Sequence, residues 1–350
     1  MNSISLDSFH SEFQLNNIAF DIQSLLQKAD LFIEKGADFE KQIGFFLKEW
    51  FDDSDYITAQ SSGTTGIPKT IQISKQAMVE SARATGVFFN LKPGKTALLC
   101  LSTQYIAGKM MLVRALVLGL KIDCISPSSN PLETIEKNYD FAAMVPMQAQ
   151  NSIAKLNSIK TLIIGGAPIN SKLQKAFLQL KTAVFETFGM TETITHIAAR
   201  RIGEKAFSLL PNIEISKDER DCLVIHAPRI SDNVIVTNDL VFIVSETQFV
   251  YLGRIDSVVN SGGVKLFPEQ IENKLAKEIP SRFFVIGVPD PTLGEKLILV
   301  IEGEKFDIQE TIFQSLNAFE KPKEIHFVSQ FIDTETGKIN RNKTFIALKL

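Results

Sequence analysis

The sequence holds little of what marks several large classes of protein. Only three cysteines occur in 350 residues, Cys100, Cys124 and Cys222, and no two stand in Cys-x-x-Cys spacing. That argues against a disulfide framework or a thiolate metal site, and leaves buried free thiols in a reducing compartment as the expectation. The four histidines, His10, His196, His226 and His326, are scattered without metal-ligand or triad spacing. Excess positive charge is missing too: 37 Lys and Arg stand against 40 Asp and Glu, a net charge of −3. A dedicated nucleic-acid binder, which carries a concentrated basic face, is therefore not expected. No apolar run approaches the roughly 20 residues needed to span a bilayer. The stretch from Met1 to Gln14 is polar, without the basic start and apolar core of a secretory leader. A cytoplasmic protein without nucleic-acid or membrane partners follows as the expectation, and its oligomeric state is not written in these features.

What is present is an ordinary globular content of apolar residues, 45%, arranged in patterns. A chain of this length divides into about two domains, because single cores stop growing near roughly 250–300 residues. Ile22, Leu25 and Leu26, then Phe45, Phe46 and Trp50, recur at helical spacing and predict two amphipathic helices between residues 21 and 51. Beyond them the short apolar runs Ala97–Leu101, Phe141–Val145, Thr161–Gly165 and Ala183–Glu186 alternate with helical segments. This is the pattern of a buried parallel sheet, whose sites gather at the carboxyl ends of the strands. From about Cys222 to Leu252 the texture turns to β-rich alternation, which predicts a small antiparallel subdomain. After Asp256 a compact α+β unit is expected, with a helix at Pro268–Ile279, strands at Phe283–Val288 and Lys296–Glu302, and a last helix near Asp307–Ala318. The fold class is thus α/β: a large N-terminal domain of mostly parallel sheet with a small β subdomain, residues 1–254, and a small mobile α+β domain, residues 255–350.

The segment richest in chemistry is Thr58–Thr70. It packs Ser61, Ser62, Thr64 and Thr65 with Gly63, Gly66 and Lys69, between a strand signal containing Tyr56 and a helical pattern. Hydroxyls and main-chain amides donate to phosphate oxygens, glycine lets the backbone come close, and lysine adds charge. The loop is not a Walker A motif, which needs Gly-Lys-Ser/Thr in sequence, whereas Ile67 and Pro68 separate Gly66 from Lys69. Taken alone, a solvated Ser/Thr/Gly turn competes with a phosphate cradle.

Three further motifs accompany the loop in order: Glu186-Thr187-Phe188-Gly189-Met190-Thr191-Glu192-Thr193, then Tyr251–Asp256 with Asn260–Lys265, then Thr336-Gly337-Lys338-Ile339-Asn340-Arg341. Together the four resemble the signatures of the adenylate-forming superfamily, which includes the acyl- and aryl-CoA ligases, luciferase and the adenylation domains of peptide synthetases. The resemblance runs over residues 56–345. Members of that superfamily carry a longer segment before the loop, which here begins near residue 58.

The resemblance implies ATP, Mg2+ and coenzyme A as cofactors and co-substrates, and it implies roles for particular residues. Ser61, Ser62, Gly63, Thr64, Thr65, Gly66 and Lys69 match the pyrophosphate cradle. Glu192 matches the magnesium-binding carboxylate and Thr191 the α-phosphate contact; a helix-start carboxylate is the plainer reading of Glu192. Gly165, Gly166, Ala167 and Pro168 match the segment beside the adenine and acyl pockets. Glu186, Thr187, Phe188, Gly189 and Met190 match the second signature, with Phe188 in the adenine-stacking place, where a core aromatic is the alternative. Asp239 matches the ribose reader, although Asn238 stands where the superfamily has glycine, and Arg254 matches a second ribose or phosphate contact. Lys338 matches the mobile catalytic lysine. Asp256 is the hinge, and Ser261, Gly262 and Gly263 form the loop presented to the thiol.

For the acyl substrate, Tyr105 stands where many CoA ligases have histidine. Arg114 interrupts the apolar run Met110–Leu116, where it either snorkels to solvent or meets a second carboxylate of the substrate; Lys109 is the weaker candidate for that role. An arginine at this place, the short length and the wording Gly165-Gly166-Ala167-Pro168-Ile169 resemble the o-succinylbenzoate-CoA ligases of menaquinone biosynthesis. Activation of an aromatic acid to an acyl-adenylate, then to a CoA thioester, is the implied activity. Another aryl- or acyl-CoA ligase, a noncatalytic nucleotide-binding relative and a phosphate-loop NTPase remain as alternatives.

Overall fold

A computed structural model describes residues 9–60, 70–333 and 339–348. The loop Ser61–Lys69 and Lys338 lie outside the described residues. Two short strands, β1 (Gln14–Leu15) and β2 (Ile18–Ala19), precede two helices, α1 (Ile22–Lys35) and α2 (Asp38–Trp50). Asp21 starts α1 by accepting from the Ser24 amide at 2.7 Å, while Ser24 Oγ accepts from the Asp21 amide. The two helices form where the apolar spacing predicted them and bury Leu25, Ala29 and Phe32 with Ile43, Phe46, Leu47 and Trp50, whereas Ile22 and Phe45 of that spacing are exposed.

Next come β3 (Tyr56–Gln60) and β4 (Thr70–Ser74), which pair antiparallel with Gln60 opposite Thr70. These two strands lie on either side, in sequence, of the segment expected to hold phosphate. Sequence reading placed a helix directly after this loop; instead β4 intervenes, and α3 (Lys75–Phe88) starts from the Ser74 cap. The alternation Thr70-Ile71-Gln72-Ile73-Ser74 explains the strand: Ile73 enters the core opposite Ile57.

The central sheet is laid down by β5 (Thr96–Leu99), α4 (Ile106–Leu118), β6 (Lys121–Cys124), β7 (Tyr139–Met144), α5 (Pro146–Asn151), β8 (Ile159–Ile164), α6 (Ser171–Phe177) and β9 (Ala183–Gly189). Strands β6, β5, β7, β8 and β9 lie side by side and parallel. The chain leaves β5 toward β6 and then returns to the other flank of β5 as β7, so strand order reverses there, the place where open α/β sheets form a crevice. Gly108 lets α4 lie close to that crevice: a Cβ on it would stand 2.2 Å from the Ser102 carbonyl oxygen.

Strands β10 (His196–Arg201), β11 (Phe207–Leu209), β12 (Glu214–Lys217), β13 (Cys222–His226), β14 (Ile235–Ser245) and β15 (Gln248–Arg254) follow. The β-rich region is antiparallel as expected, β12, β13, β14 and β15 lying side by side. It is continuous with the parallel strands, because β10 pairs antiparallel with β9, and the described residues place 13 strands in one sheet. After the turn Ile255–Ser257, the strands β16 (Val259–Ser261), β17 (Val264–Leu266), β18 (Phe283–Asp290), β19 (Gly294–Glu302) and β20 (Glu324–Val328) form a second sheet. It packs with α7 (Pro268–Leu275) around Ile271, Leu275, Leu297 and Leu299, and α8 (Arg341–Ala347) follows. The helix expected over Asp307–Ala318 is absent. Only a 3-10 turn forms at Glu310–Phe313, and Asn317 caps a second turn at Ala318–Glu320. Two short turns suffice to seat Leu316 in the core, so the polar remainder gains nothing from a longer helix.

Candidate active site

The carboxyl end of β8 runs into Gly165, and the Thr187 hydroxyl on β9 donates to the Ile164 carbonyl at 3.1 Å. A Cβ on Gly165 would stand 2.7 Å from that hydroxyl, so a side chain there would push the Thr187 hydroxyl off the Ile164 carbonyl. Gly166 turns outward at φ +86°, leaving Gly166, Ala167 and Pro168 exposed beside β9. Phe188 is half-buried, its ring 5.1 Å from Phe249 and 5.9 Å from Tyr251. Glu186 is engaged by Arg200 across the β9–β10 pair, at 2.6 and 2.9 Å, which holds its carboxylate along the sheet.

Asp239 faces Arg254 across β14 and β15, with Arg254 Nη1 3.5 Å from Oδ1. Burial raises the Asp239 carboxyl above its ordinary range, and Arg254 partly offsets this. Arg254 also reaches Asp256 at 3.3 Å, and the Asn238 side-chain Nδ2 donates to the same carboxylate oxygen at 3.2 Å. The pair expected to read ribose and the expected hinge are thus one polar cluster.

After β9, Met190 leads into a 3-10 turn, Thr191–Thr193, where Glu192 is exposed and Thr193 buried. The Thr193 hydroxyl accepts from the Met190 amide at 2.9 Å and donates to the Thr195 carbonyl at 2.7 Å. Between them Ile194 adopts φ 65°, ψ −54°, and the Thr195 amide donates to Thr193 O at 2.6 Å. This is a γ-turn of the strained hand on a β-branched residue, a conformation that persists only where the surroundings hold it. Burial of Ile194 in the core supplies the hold. Thr191, Glu192 and Ile194 line a cleft of about 380 Å³ together with Ile71, Ile73 and Ile230. A second cleft, about 450 Å³, adjoins it at Ser74, Ile230 and Ser231 and is walled by Glu80 and Arg229.

Arg114 does not snorkel. It is 2% exposed, with Nη2 donating to Thr195 Oγ1 at 3.2 Å and standing 3.5 Å from His196 Nδ1. Its Nε finds no partner among the described residues, and neither does His196 Nε2. Burial pulls the guanidinium down to about 10, so it remains charged at neutral pH. Burial and the adjacent Arg114 charge together hold His196 neutral, well below its ordinary value. No carboxylate pairs with Arg114 among the described residues, an arrangement that leaves a desolvated cation suited to an anionic ligand. Lys109, the weaker candidate, is already engaged: its ammonium lies 3.0 Å from Glu49 Oε2. Tyr105 is exposed at the start of α4.

Gly262 and Gly263 form the two-residue turn between β16 and β17, at φ 58° and 82°, with Ser261 opposite Val264. The described residues contain no group of three or more His, Cys, Asp or Glu able to cage a metal. A hard dication with phosphate oxygens in its shell needs fewer, and the exposed Glu192 carboxylate beside the cleft fits that requirement. Thr195 and His196 were missed as partners of Arg114; the one sequence signal was the position of His196 just beyond Thr191-Glu192.

The model for the AMP-binding enzyme family matches residues 12–217. A 2-succinylbenzoate–CoA ligase of Listeria innocua is 22% identical over 330 residues, covering 81% of this chain and 68% of that protein. Among solved structures, an acyl-CoA synthetase (AMP-forming)/AMP-acid ligase II-like protein from Dyadobacter fermentans is 35% identical with a TM-score of 0.61, over 89% of this chain and 95% of that one. The o-succinylbenzoate coenzyme A synthetase of Bacillus subtilis, in complex with ATP and magnesium ion, aligns at a TM-score of 0.71 and 17% identity, over 85% of this chain and 74% of that one.

Proposed function

The chain belongs to the AMP-binding enzyme family, and on that footing we propose that it is an AMP-forming acid–thiol ligase that activates o-succinylbenzoate with ATP and passes the acyl group to coenzyme A. The observation that carries the substrate reading is Arg114, a buried cation with an open Nε and no carboxylate partner among the described residues. It is held by Thr195, three residues after Glu192 in the cleft wall. An acid with two carboxylates can present one for activation and seat the other against this guanidinium.

In the first half-reaction a substrate carboxylate oxygen attacks the α-phosphorus of ATP in line, and pyrophosphate leaves. The chain must offset charge on both groups. Thr191 faces the α-phosphate, Glu192 holds the metal, Ser61–Lys69 cradles the departing pyrophosphate, and Lys338 bridges the carboxylate and α-phosphate. Bound at Glu192, magnesium neutralises phosphate charge. Asp239 and Arg254 hold the ribose, while Phe188 and the bare segment Gly165–Pro168 flank the adenine. In the second half-reaction a thiolate displaces AMP from the acyl carbon. Residues 255–350 form a mobile domain that turns about Asp256 and presents Gly262 and Gly263, whose lack of side chains leaves a channel for a pantetheine arm. Use of ATP and coenzyme A suits the cytoplasm, and no described helix is long and apolar enough to cross a membrane.

The test is product analysis with ATP, magnesium, coenzyme A and a panel of aromatic and aliphatic acids that includes o-succinylbenzoate. AMP and the o-succinylbenzoyl thioester are expected together. Thioester from another acid alone would keep the reaction and overturn the substrate.

A further inference from the structure

The β3–β4 pair is a two-stranded sheet that pairs with no other strand among the described residues. Isolated hairpins are marginal in water, and the outer edge of each strand leaves amide and carbonyl groups unpaired. In this protein the outer edge of β3 is met by two side chains. Glu49 Oε1, from the last turn of α2, accepts from the Thr58 amide at 2.8 Å. Lys109 Nζ, from α4, donates to the Thr58 carbonyl at 3.0 Å and to Glu49 Oε2 at 3.0 Å. Both main-chain groups of Thr58 are thereby satisfied by one ion pair, as a neighbouring strand would satisfy them. Lys109 is 8% exposed, and its ammonium also lies 5.4 Å from the centre of the Phe46 ring.

The other side of the β3–β4 pair is fixed from the same helix end. Lys75, 1% exposed, donates to the Asp52 carboxylate at 2.7 Å and to the Asp52 carbonyl at 3.0 Å, and its amide donates to Asp55 O. The root of Ser61–Lys69 is therefore tied to the segment that follows α2 and to α4, the helix that also bears Arg114.

We propose that the Lys109–Glu49 ion pair is a positioning device for the phosphate loop: it stands in for a missing third strand at Thr58 and sets the loop's approach to ATP. The proposal rests on the loop's reading as a phosphate cradle. Neither side chain touches substrate; they act through the backbone three residues before the loop. A partly buried pair of this kind is weak grounds for a stability role, since desolvation of the buried Lys109 offsets much of the attraction. Its effect belongs in nucleotide affinity.

The experiment compares wild type, Lys109→Met, Glu49→Gln and the double variant by isothermal titration with ATP and magnesium, and by steady-state kinetics with each substrate varied. Glutamine keeps an acceptor for the Thr58 amide, so this variant guards against a Lys109→Met protein that fails to fold. Lys109→Met is expected to weaken ATP binding about tenfold, with KM for the acid within twofold of wild type and the melting temperature little changed. Glu49→Gln should show a smaller loss, and the double variant should lose no more than Lys109→Met alone, because the pair acts as one unit. Equal rises in both KM values with a lowered melting temperature, or unchanged ATP affinity in both variants, would overturn the positioning role. Failure of wild type to bind ATP would instead remove the functional reading on which it rests.

Discussion

Replacing Arg114 by methionine separates a ligand-binding cation from a structural one, because the two roles move protein stability in opposite directions. Burial lowers the guanidinium from its ordinary value to about 10. At ~1.36 kcal/mol per pKa unit this places a penalty of about 3 kcal/mol on the charged, ligand-free protein. The sign follows from the lowered pKa: the penalty is fully present below about 10 and is relieved only as pH rises through that value. Methionine of similar length removes the charge, so ligand-free Arg114→Met should melt at the same temperature as wild type or higher. Truncating one side of a desolvated charge pair costs roughly 2–5 kcal/mol in binding, which is about 30- to 4,000-fold in affinity. In wild type, a dicarboxylate at a hundred times its Kd should stabilise by about 2.7 kcal/mol. At the same concentration the variant should gain under about 1 kcal/mol. Thermal melts with and without the acid, and KM for acid and ATP separately, read both effects. A variant that melts far below wild type and raises both KM values equally would make Arg114 structural.

Three other outcomes follow from the same reasoning. Lys338→Ala should slow acyl-adenylate formation by roughly 10²- to 10³-fold, the scale for loss of one transition-state charge contact, while ATP binding by titration stays measurable; full adenylation rate would remove the assigned role. Burial pushes Glu272 up to about 7 against the opposing charge of Arg341. A carboxyl raised in the folded state contributes stability that is full below about 4.5 and lost as pH rises through about 7, so Glu272→Gln should flatten the fall in urea stability across that window. Gly108→Ala forces a Cβ to within 2.2 Å of Ser102 O and 2.8 Å of Thr103 N, and the displacement of backbone should cost about 1–3 kcal/mol by denaturant unfolding.

Local pattern carried most of the fold. The buried parallel strands announced themselves because both their faces are covered, making each a short continuous apolar run, and α1 and α2 because one face alone is apolar. Strand β4 was also written, in the alternation from Thr70 to Ser74, but the loop before it drew the reading toward a helix. What no local pattern holds is pairing across distance. Arg114 stood out as a lone cation among apolar residues, yet Thr195 and His196 lie 81 and 82 residues away. Lys109 stayed a weaker candidate for the same role until the fold brought Glu49, 60 residues earlier, against it. The continuity of the β-rich strands with the parallel sheet likewise depends on one edge, β9 with β10, that composition does not reveal. Over Asp307–Ala318 helical spacing was present, but two short turns satisfied the same apolar residues.

The most direct measurement is acid-dependent exchange of labelled pyrophosphate into ATP, run with o-succinylbenzoate and magnesium and with coenzyme A left out. Reversible adenylation predicts label in ATP only when the acid is present, and its loss in Lys338→Ala. Label that enters ATP without any acid, or no exchange while ATP is hydrolysed to ADP, would contradict an acyl-adenylate intermediate.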